Sequence, residues 1–147
     1  MPATDQLEDD LLDLMFTNVA APNWGDSGGL LPSAAPGDIH CSLHTATLND
    51  THTDQTESEA AYTSYLRIAI ARSVAQWTVL SGLVDNDNEV LFPEATGGSE
   101  TETYFGLGFA LSGTGYLQIY GAVTPNLAVV SGVQPRFKAG TLDISVT

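Results

Sequence analysis

The sequence is short of positive charge and of long apolar runs, and each shortage excludes a class of partner. Its 147 residues hold only four lysines and arginines against 18 aspartates and glutamates, for a formal net charge of −14. Because contacts with phosphate groups depend on lysine and arginine, so acidic a chain is not expected to bind nucleic acid. The same charge repels anionic lipid, and no apolar run approaches the ~20 residues of a membrane-spanning helix. We therefore expect neither nucleic acid nor a membrane as a partner.

Cysteine and catalytic motifs are equally scarce. Cys41 is the only cysteine, which rules out a disulfide framework within the chain and fits synthesis in a reducing cytoplasm. The sequence has no Gly-x-Ser-x-Gly motif around a nucleophilic serine. The glycines of residues 106–108 lack the third glycine of a phosphate-binding loop. We therefore predict a non-enzymatic protein, without catalytic residues or a cofactor.

The last third of the chain has the pattern of successive antiparallel strands. Residues 103–147 are mostly apolar and aromatic, and glycine or proline interrupts them at short intervals. Ser-Gly-Thr-Gly at residues 112–115 predicts a hairpin turn, because glycine tolerates positive φ. Thr-Pro-Asn at residues 124–126 predicts a second break. Residues 142–146 alternate between apolar and polar, which predicts a strand with one buried face.

Further strands are predicted at residues 38–45, 61–71 and 90–92, with a polar, solvated loop at residues 47–61. In the first of them Ile39, Cys41 and Leu43 share the face expected to point at the core, so the thiol should be buried and unreactive. Together the strands predict a mainly β protein. We expect a single antiparallel β-sandwich domain over residues 1–147, which could take the form of a jelly roll.

Two segments precede these strands. Residues 4–17 predict a short amphipathic N-terminal helix, opened by an Asp-x-x-Glu capping box at residues 5–8. Its apolar stripe is expected to pack on the sandwich or on a neighbouring subunit, and consists of Leu7, Leu11, Leu14 and Met15. Residues 18–37 form a long loop with four glycines and three prolines. Trp24 in this loop could anchor an interface or fold back onto its own core.

Two groups of residues have some of the features of a metal site. His40 and His44 share a strand face but lie about 13 Å apart, so they cannot hold one ion through that strand alone. Surface or interface histidines are expected instead. Residues 85–89 alternate aspartate and asparagine like a calcium loop, yet lack its glycine at position six and its acid at position twelve. A polar turn is the favoured interpretation, so we expect no metal site, while calcium binding at this turn stays open.

Arg67 and Arg72 are two of only four bases and lie in or beside one predicted strand. In so acidic a chain each is expected to pair with a carboxylate, within the subunit or across an interface. The residues that we expect at interfaces are Leu7, Leu11, Trp24 and Arg67.

Several short motifs, in their order and spacing, resemble a family of short phage virion proteins described as tail fibre or head decoration proteins. The loop at residues 18–37 is longer than in those proteins. The motifs are Leu-Glu-x-x-Leu-Leu-Asp-x-x-Phe at residues 7–16, Leu-His-Thr-Ala at 43–46, Tyr-x-Arg at 65–67, Phe-Pro-Glu-Ala-Thr at 92–96, Tyr-Phe-Gly at 104–106, Tyr-Gly-Ala-Val at 120–123 and the run at 137–144.

The resemblance implies a structural protein of the phage virion, made in the host cytoplasm. Its partners would be other virion proteins, either the major capsid protein or tail proteins. Small size, an acidic surface and the lack of a fibrous repeat favour a capsid decoration (cement) protein. A tail fibre or tail-associated module is the alternative. Because exposed sheet edges need covering, we expect a homo-oligomer, with a trimer favoured.

A carbohydrate-binding β-sandwich is a further alternative from a different functional class. Such a protein needs an aromatic platform on its surface. The residues that could form one are Trp24, Tyr62, Tyr65 and Trp77.

Overall fold

The structure is a computed structural model and describes residues 3–22, 24–25 and 29–145. A helix, α1 (Asp5–Leu12), opens the chain and continues into a π-helical turn, Asp13–Thr17. Nine strands follow in this part of the chain: β1 (Asp38–His44), β2 (Ile68–Ala71), β3 (Trp77–Leu80), β4 (Leu83–Asn86), β5 (Val90–Leu91), β6 (Ser99–Gly108), β7 (Leu117–Val130), β8 (Arg136–Phe137) and β9 (Ile144–Ser145). No helix in the described ranges is long and apolar enough to cross a membrane.

The strands form three sheets, ordered β2-β1-β6-β7, β3-β4-β9 and β5-β8. The pairings of β1 with β6, β6 with β7, β3 with β4 and β4 with β9 are antiparallel. The predicted class is therefore confirmed: a mainly β protein with antiparallel sheets and one short N-terminal helix. The face-to-face arrangement of a sandwich and the single domain over residues 1–147 stay predictions.

Contacts divide the chain into two compact units, which are described separately. The helix unit consists of Met1–Asp38, Ala71–Val90 and Phe137–Thr147, and contains α1 with the sheet β3-β4-β9. The hairpin unit consists of Ile39–Ile70 and Leu91–Arg136, and contains the long β6–β7 hairpin.

The N-terminal helix of the helix unit forms as predicted but begins and faces differently. Its N-cap is Thr4, whose hydroxyl accepts a hydrogen bond from the amide of Leu7, so the capping box at residues 5–8 was wrong by one position. The buried apolar side chains are Leu12 and Phe16, both fully inaccessible, whereas Leu11 is 39% exposed. Phe16 packs edge-on against Trp77 at 4.9 Å between ring centroids. The buried stripe therefore runs one position later than predicted.

Arg72 binds the end of this helix, and no carboxylate within residues 3–22, 24–25 and 29–145 pairs with it, which corrects that prediction. Its Nε and Nη2 donate to the carbonyl oxygens of Met15 and Leu14 at 2.7 and 2.6 Å, and Nη1 donates to Pro36 at 2.8 Å. The last carbonyls of a helix lack partners within the helix, and a cation there also complements the helix dipole. The guanidinium thus joins the helix end to the loop that follows it.

The predicted calcium-like turn at residues 85–89 lies partly in a strand. β4 runs to Asn86, which is buried and acts as a structural bridge. Its amide nitrogen donates to the carbonyls of Asn88 and Lys138, and its oxygen accepts from the amides of Thr141 and Leu142. Every polar function of this side chain is used within the helix unit, which explains its burial.

The hairpin unit is built on the antiparallel pair β6 and β7, with β1 on the other side of β6. The predicted turn at residues 112–115 is confirmed, with φ of 73° at Gly113 and 52° at Gly115. The break at residues 124–126 is a bulge within β7, because Glu102 pairs with Leu127 while Tyr104 already pairs with Ala122.

The remaining predicted strands differ in extent from those observed. The strand expected at residues 61–71 is shorter, since β2 begins at Ile68. At the C-terminus Leu142 and Ile144 are buried as expected, while Val146 lies outside the described residues.

The position of the apolar stripe gives a paired test of α1. We predict that Leu12→Asp lowers the free energy of unfolding by roughly 3 kcal/mol or more, because it buries an unpaired charge. Leu11→Asp carries the same chemical change on the exposed side and should cost about 1 kcal/mol or less. Urea unfolding at low protein concentration, where self-association contributes least, measures both. Equal losses for the two variants would contradict the observed helix orientation.

Candidate functional site

Arg67 organises the hairpin unit from a position just before β2. It is 5% exposed and forms a bidentate pair with Glu59: Nε donates to Oε1 at 2.6 Å and Nη2 to Oε2 at 2.7 Å. Glu59 also accepts a hydrogen bond from the hydroxyl of Tyr65 at 2.9 Å. These hydrogen bonds raise the pKa of Arg67 above its ordinary value. The expected carboxylate partner of Arg67 is therefore found, and it lies inside the unit.

The other donors of Arg67 hold the connection between β6 and β7, residues 109–116, called here the hairpin loop. Nη1 donates to the carbonyl of Ala110 at 2.9 Å, and Nη2 donates to Gly113 at 2.8 Å. An arginine fork directed at two carbonyls and one carboxylate fixes all of them in one geometry. A surface loop rich in glycine is thus restrained by a buried ion pair.

Gln55 fixes the same loop from a second direction. Its side chain is fully buried: Nε2 donates to the carbonyl of His40 at 3.2 Å, and Oε1 accepts from the amide of Ala110 at 3.1 Å. Its backbone amide donates to Thr114 at 2.9 Å. The solvated loop predicted at residues 47–61 is therefore wrong at Gln55, which is part of the core.

Two glycines make room for this glutamine. A Cβ on Gly108 would lie 2.2 Å from Cδ of Gln55, and one on Gly115 would lie 2.8 Å from its Oε1. Gly115 also has a positive φ of 52°, which residues with a side chain rarely adopt. Neither position can carry a larger residue while Gln55 stays in place.

A groove opens where the segment at Gln55 meets the hairpin loop. This hairpin groove has a volume of about 420 Å³ and is lined by Thr53, Asp54, Thr114, Gly115 and Tyr116. Asp54 and Tyr116 face each other in an antiparallel bridge, and the amide of Leu117 donates to the carbonyl of Thr53 at 3.1 Å. The Tyr116 side chain is 74% exposed. The two segments that line the groove, residues 53–54 and 114–116, are therefore joined by main-chain hydrogen bonds.

The carboxylate of Asp54 is held in its charged form. Its Oδ1 accepts from the amide and the hydroxyl of Thr56 at 3.0 and 2.6 Å. These two hydrogen bonds favour the anion and lower the pKa of Asp54 below its usual value. At neutral pH the groove thus contains one negative charge among hydroxyl groups and an aromatic ring.

Glu102, in the middle of β6, is a second unusual carboxyl group. Its side chain is fully buried, and no donor among the residues that the structure describes binds either of its oxygens, while Glu100 lies close enough to share a hydrogen bond with it. Burial, together with the nearby carboxylate of Glu100, raises its pKa to about 8. Glu100 is itself held by the amides of Ala61 and Tyr62 at 2.9 and 2.8 Å. Glu102 is therefore mostly protonated at neutral pH.

His44 is buried, and the expectation of a surface histidine is wrong for it. Its Nδ1 lies 2.8 Å from the carbonyl oxygen of Glu57, and its Nε2 lies 2.8 Å from the Ser42 hydroxyl. Burial is the main cause that lowers its pKa. Cys41 on the same strand is buried too, and burial raises the pKa of its thiol, so it is unreactive as predicted. In the described ranges no three histidine, cysteine or acidic residues form a metal-binding cluster.

The residues predicted for interfaces do not come together as one site. In the helix unit Leu7 is half-buried, while Leu11 and Trp24 are 39% and 38% exposed. Arg67 is buried in the hairpin unit. Their role at an interface stays a prediction.

The proposed aromatic platform is wrong for most of its members. Trp77 and Tyr62 are buried, and the ring of Tyr65 stacks on Phe92. Trp24 is exposed, as is Tyr116, which sequence reasoning missed.

The comparison with known families assigns the chain to the fibre-type structural proteins of phage virions. The chain belongs to the family of the podophage GP4 fiber I protein gp80, whose model matches residues 2–145. No curated protein matches the chain. Membership confirms the resemblance to phage virion proteins, and it implies a place in the virion in association with other virion proteins.

The Arg67–Glu59 pair predicts a specific pattern among substitutions. We expect Arg67→Ala to lower the free energy of unfolding by roughly 3–5 kcal/mol, because the Glu59 carboxylate loses its cation in a desolvated site. Arg67→Lys should restore only part of this, since an ammonium cannot form the bidentate fork. Chemical unfolding of the purified chain measures both variants. A lysine variant as stable as the parent would show that charge alone matters and that the fork geometry does not.

The raised pKa of Glu102 predicts a dependence of stability on pH. The folded chain keeps this proton up to about pH 8, whereas the unfolded chain releases it near its ordinary pKa of about 4.3. The group therefore lowers the free energy of unfolding as pH rises between these values, and the loss is complete above the folded pKa. Glu102→Gln should match the parent near pH 4 and exceed its stability by on the order of a few kcal/mol at pH 9.

Thermal unfolding from pH 4 to 9 tests this, with Glu94→Gln as the control. Glu94 is exposed and lies in the same unit, so its replacement makes the same change of charge without burial. A stability difference for Glu102→Gln that does not grow with pH would contradict the assignment of a buried, protonated carboxyl group.

Proposed function

We propose that the chain is a structural component of a podophage tail fibre, which assembles with copies of itself and with other virion proteins and catalyses no reaction. The observation that carries the proposal is the match of a fibre protein family to residues 2–145. Small size, an acidic surface and the lack of a fibrous repeat favoured capsid decoration, but the family description supports the tail fibre alternative. Capsid decoration is therefore the competing placement.

Exposed apolar side chains offer surfaces for this assembly. In the helix unit Leu7, Leu11 and Trp24 are the proposed contacts with neighbouring subunits, and the exposure of Leu11 and Trp24 supports this. In the hairpin unit Leu66 and Leu111 are 66% and 63% exposed, and both line a small pocket of about 180 Å³ above the Arg67–Glu59 pair. Apolar groups of this kind are buried when subunits associate.

Arg67 takes part in assembly indirectly in this proposal. Its guanidinium is fully engaged with Glu59 and the hairpin loop, so it sets the loop conformation that places Leu111 at the surface. A trimer is the proposed oligomer, because a symmetric assembly can cover exposed sheet edges.

Copy number and position in the virion test the placement. For a tail fibre we expect a few dozen copies per particle, measured by quantitative mass spectrometry against the major capsid protein, and antibody label at the tail in electron micrographs. Mass photometry of the purified chain reads its oligomeric state. Hundreds of copies with label over the capsid would reject the fibre placement in favour of decoration.

A further inference from the structure

The hairpin groove combines the three kinds of group that contact sugars. An aromatic ring can pack against the C–H face of a pyranose, and Tyr116 presents its ring at 74% exposure. A carboxylate accepts hydrogen bonds from sugar hydroxyls, and Oδ1 of Asp54 is oriented by Thr56. The threonines of the lining bring hydroxyl groups that both donate and accept. A volume of about 420 Å³ is within the range of small-molecule sites.

The groove is rigid before any ligand arrives. Gln55 is buried behind it, with hydrogen bonds to His40 and Ala110 and, through its backbone, to Thr114. Arg67 binds the same loop at Ala110 and Gly113. Binding to a preformed site loses little conformational entropy, which favours affinity for a small ligand. In the lining, Oδ1 of Asp54 is used by Thr56, which leaves the second carboxylate oxygen as the acceptor for a ligand.

Charge restricts the class of sugar. The lining holds the anionic Asp54 and no basic residue. Arg67 acts on Asp54 from outside the lining, but its charge is already paired with Glu59, so an anionic sugar would be repelled by the Asp54 carboxylate. A neutral pyranose has no such penalty.

We propose that the hairpin groove binds a neutral carbohydrate, with one pyranose ring packed on Tyr116 and its hydroxyls bonded to Asp54 and the neighbouring threonines. This inference does not depend on the fibre assignment, because it rests on the lining of the groove. A decoration protein with the same hairpin would carry the same site.

Saturation-transfer NMR on the full chain tests the proposal. The neutral probes are methyl α-glucoside, methyl α-galactoside, methyl α-rhamnoside and N-acetylglucosamine, and the anionic probes are galacturonate and N-acetylneuraminate. Calcium chloride alone is titrated separately, since a carboxylate beside oxygen atoms could also attract a cation. The variants are Tyr116→Ala, Tyr116→Phe and Asp54→Asn. Phe109→Ala is the matched control, because it removes an exposed aromatic ring of the same loop outside the groove lining.

We expect at least one neutral probe to bind the parent chain and Phe109→Ala alike. Tyr116→Ala and Asp54→Asn should weaken that binding about tenfold or more, and Tyr116→Phe should keep most of it because the ring remains. Circular dichroism confirms that each variant is folded; Tyr116→Phe and Asp54→Asn change the fewest atoms and keep the test valid if Tyr116→Ala unfolds. Three outcomes would overturn the proposal: no neutral probe binds, only anionic probes or calcium bind, or sugar binding survives unchanged in the variants.

Discussion

The hairpin unit depends on one buried ion pair. Arg67 and Glu59 satisfy each other through two short hydrogen bonds, and the remaining donors of the guanidinium hold Ala110 and Gly113. Taking both charges out of water is costly, so such a pair is retained where its geometry fixes something else. Here it fixes a loop that carries two glycines at positive φ and has little conformational preference of its own. The direction in which β7 leaves this loop is therefore set by a side chain remote in sequence.

In the helix unit, too, polar side chains hold distant main-chain segments by hydrogen bonds, but the residues are different. Arg72 holds the π-helical turn after α1 through two carbonyls and the following loop through a third. Asn86 joins β4 to the segment before β9 through three hydrogen bonds, and a fourth goes to Asn88. Several of its strands are only two to four residues long, so sheet hydrogen bonds alone specify little of the fold. Long-range bonds from buried polar side chains to the main chain supply the missing restraint. With 18 acids and only four bases, the chain uses two of its arginines to bind carbonyl groups.

The features that sequence reasoning predicted correctly are those with a local cause. The alternation at Leu142 and Ile144, the core face of β1 and the glycine turn at residues 112–115 each follow from neighbouring residues. The errors arise where contacts with residues distant in sequence determine which side chain is buried. Leu11 and Leu12 are adjacent, and the pattern allows either to face inward until Trp77 packs against Phe16. Gln55 has the sequence context of an exposed loop, and only its fit against Gly108 and Gly115 explains its burial. These two glycines are the signal in the sequence that could have indicated it.

The hairpin loop connects the structural and the binding proposals. A fibre subunit must keep its contact surfaces fixed under thermal motion, and a weak ligand such as a single sugar ring is bound only by groups that are already in place. Both requirements act on the same segment, since Leu111 and Tyr116 lie on the loop that Arg67 and Gln55 restrain. Because Arg67 and Gln55 hold the loop from its buried side, its exposed side chains are not needed to fix its conformation. The buried polar residues therefore determine which side chains the hairpin unit presents.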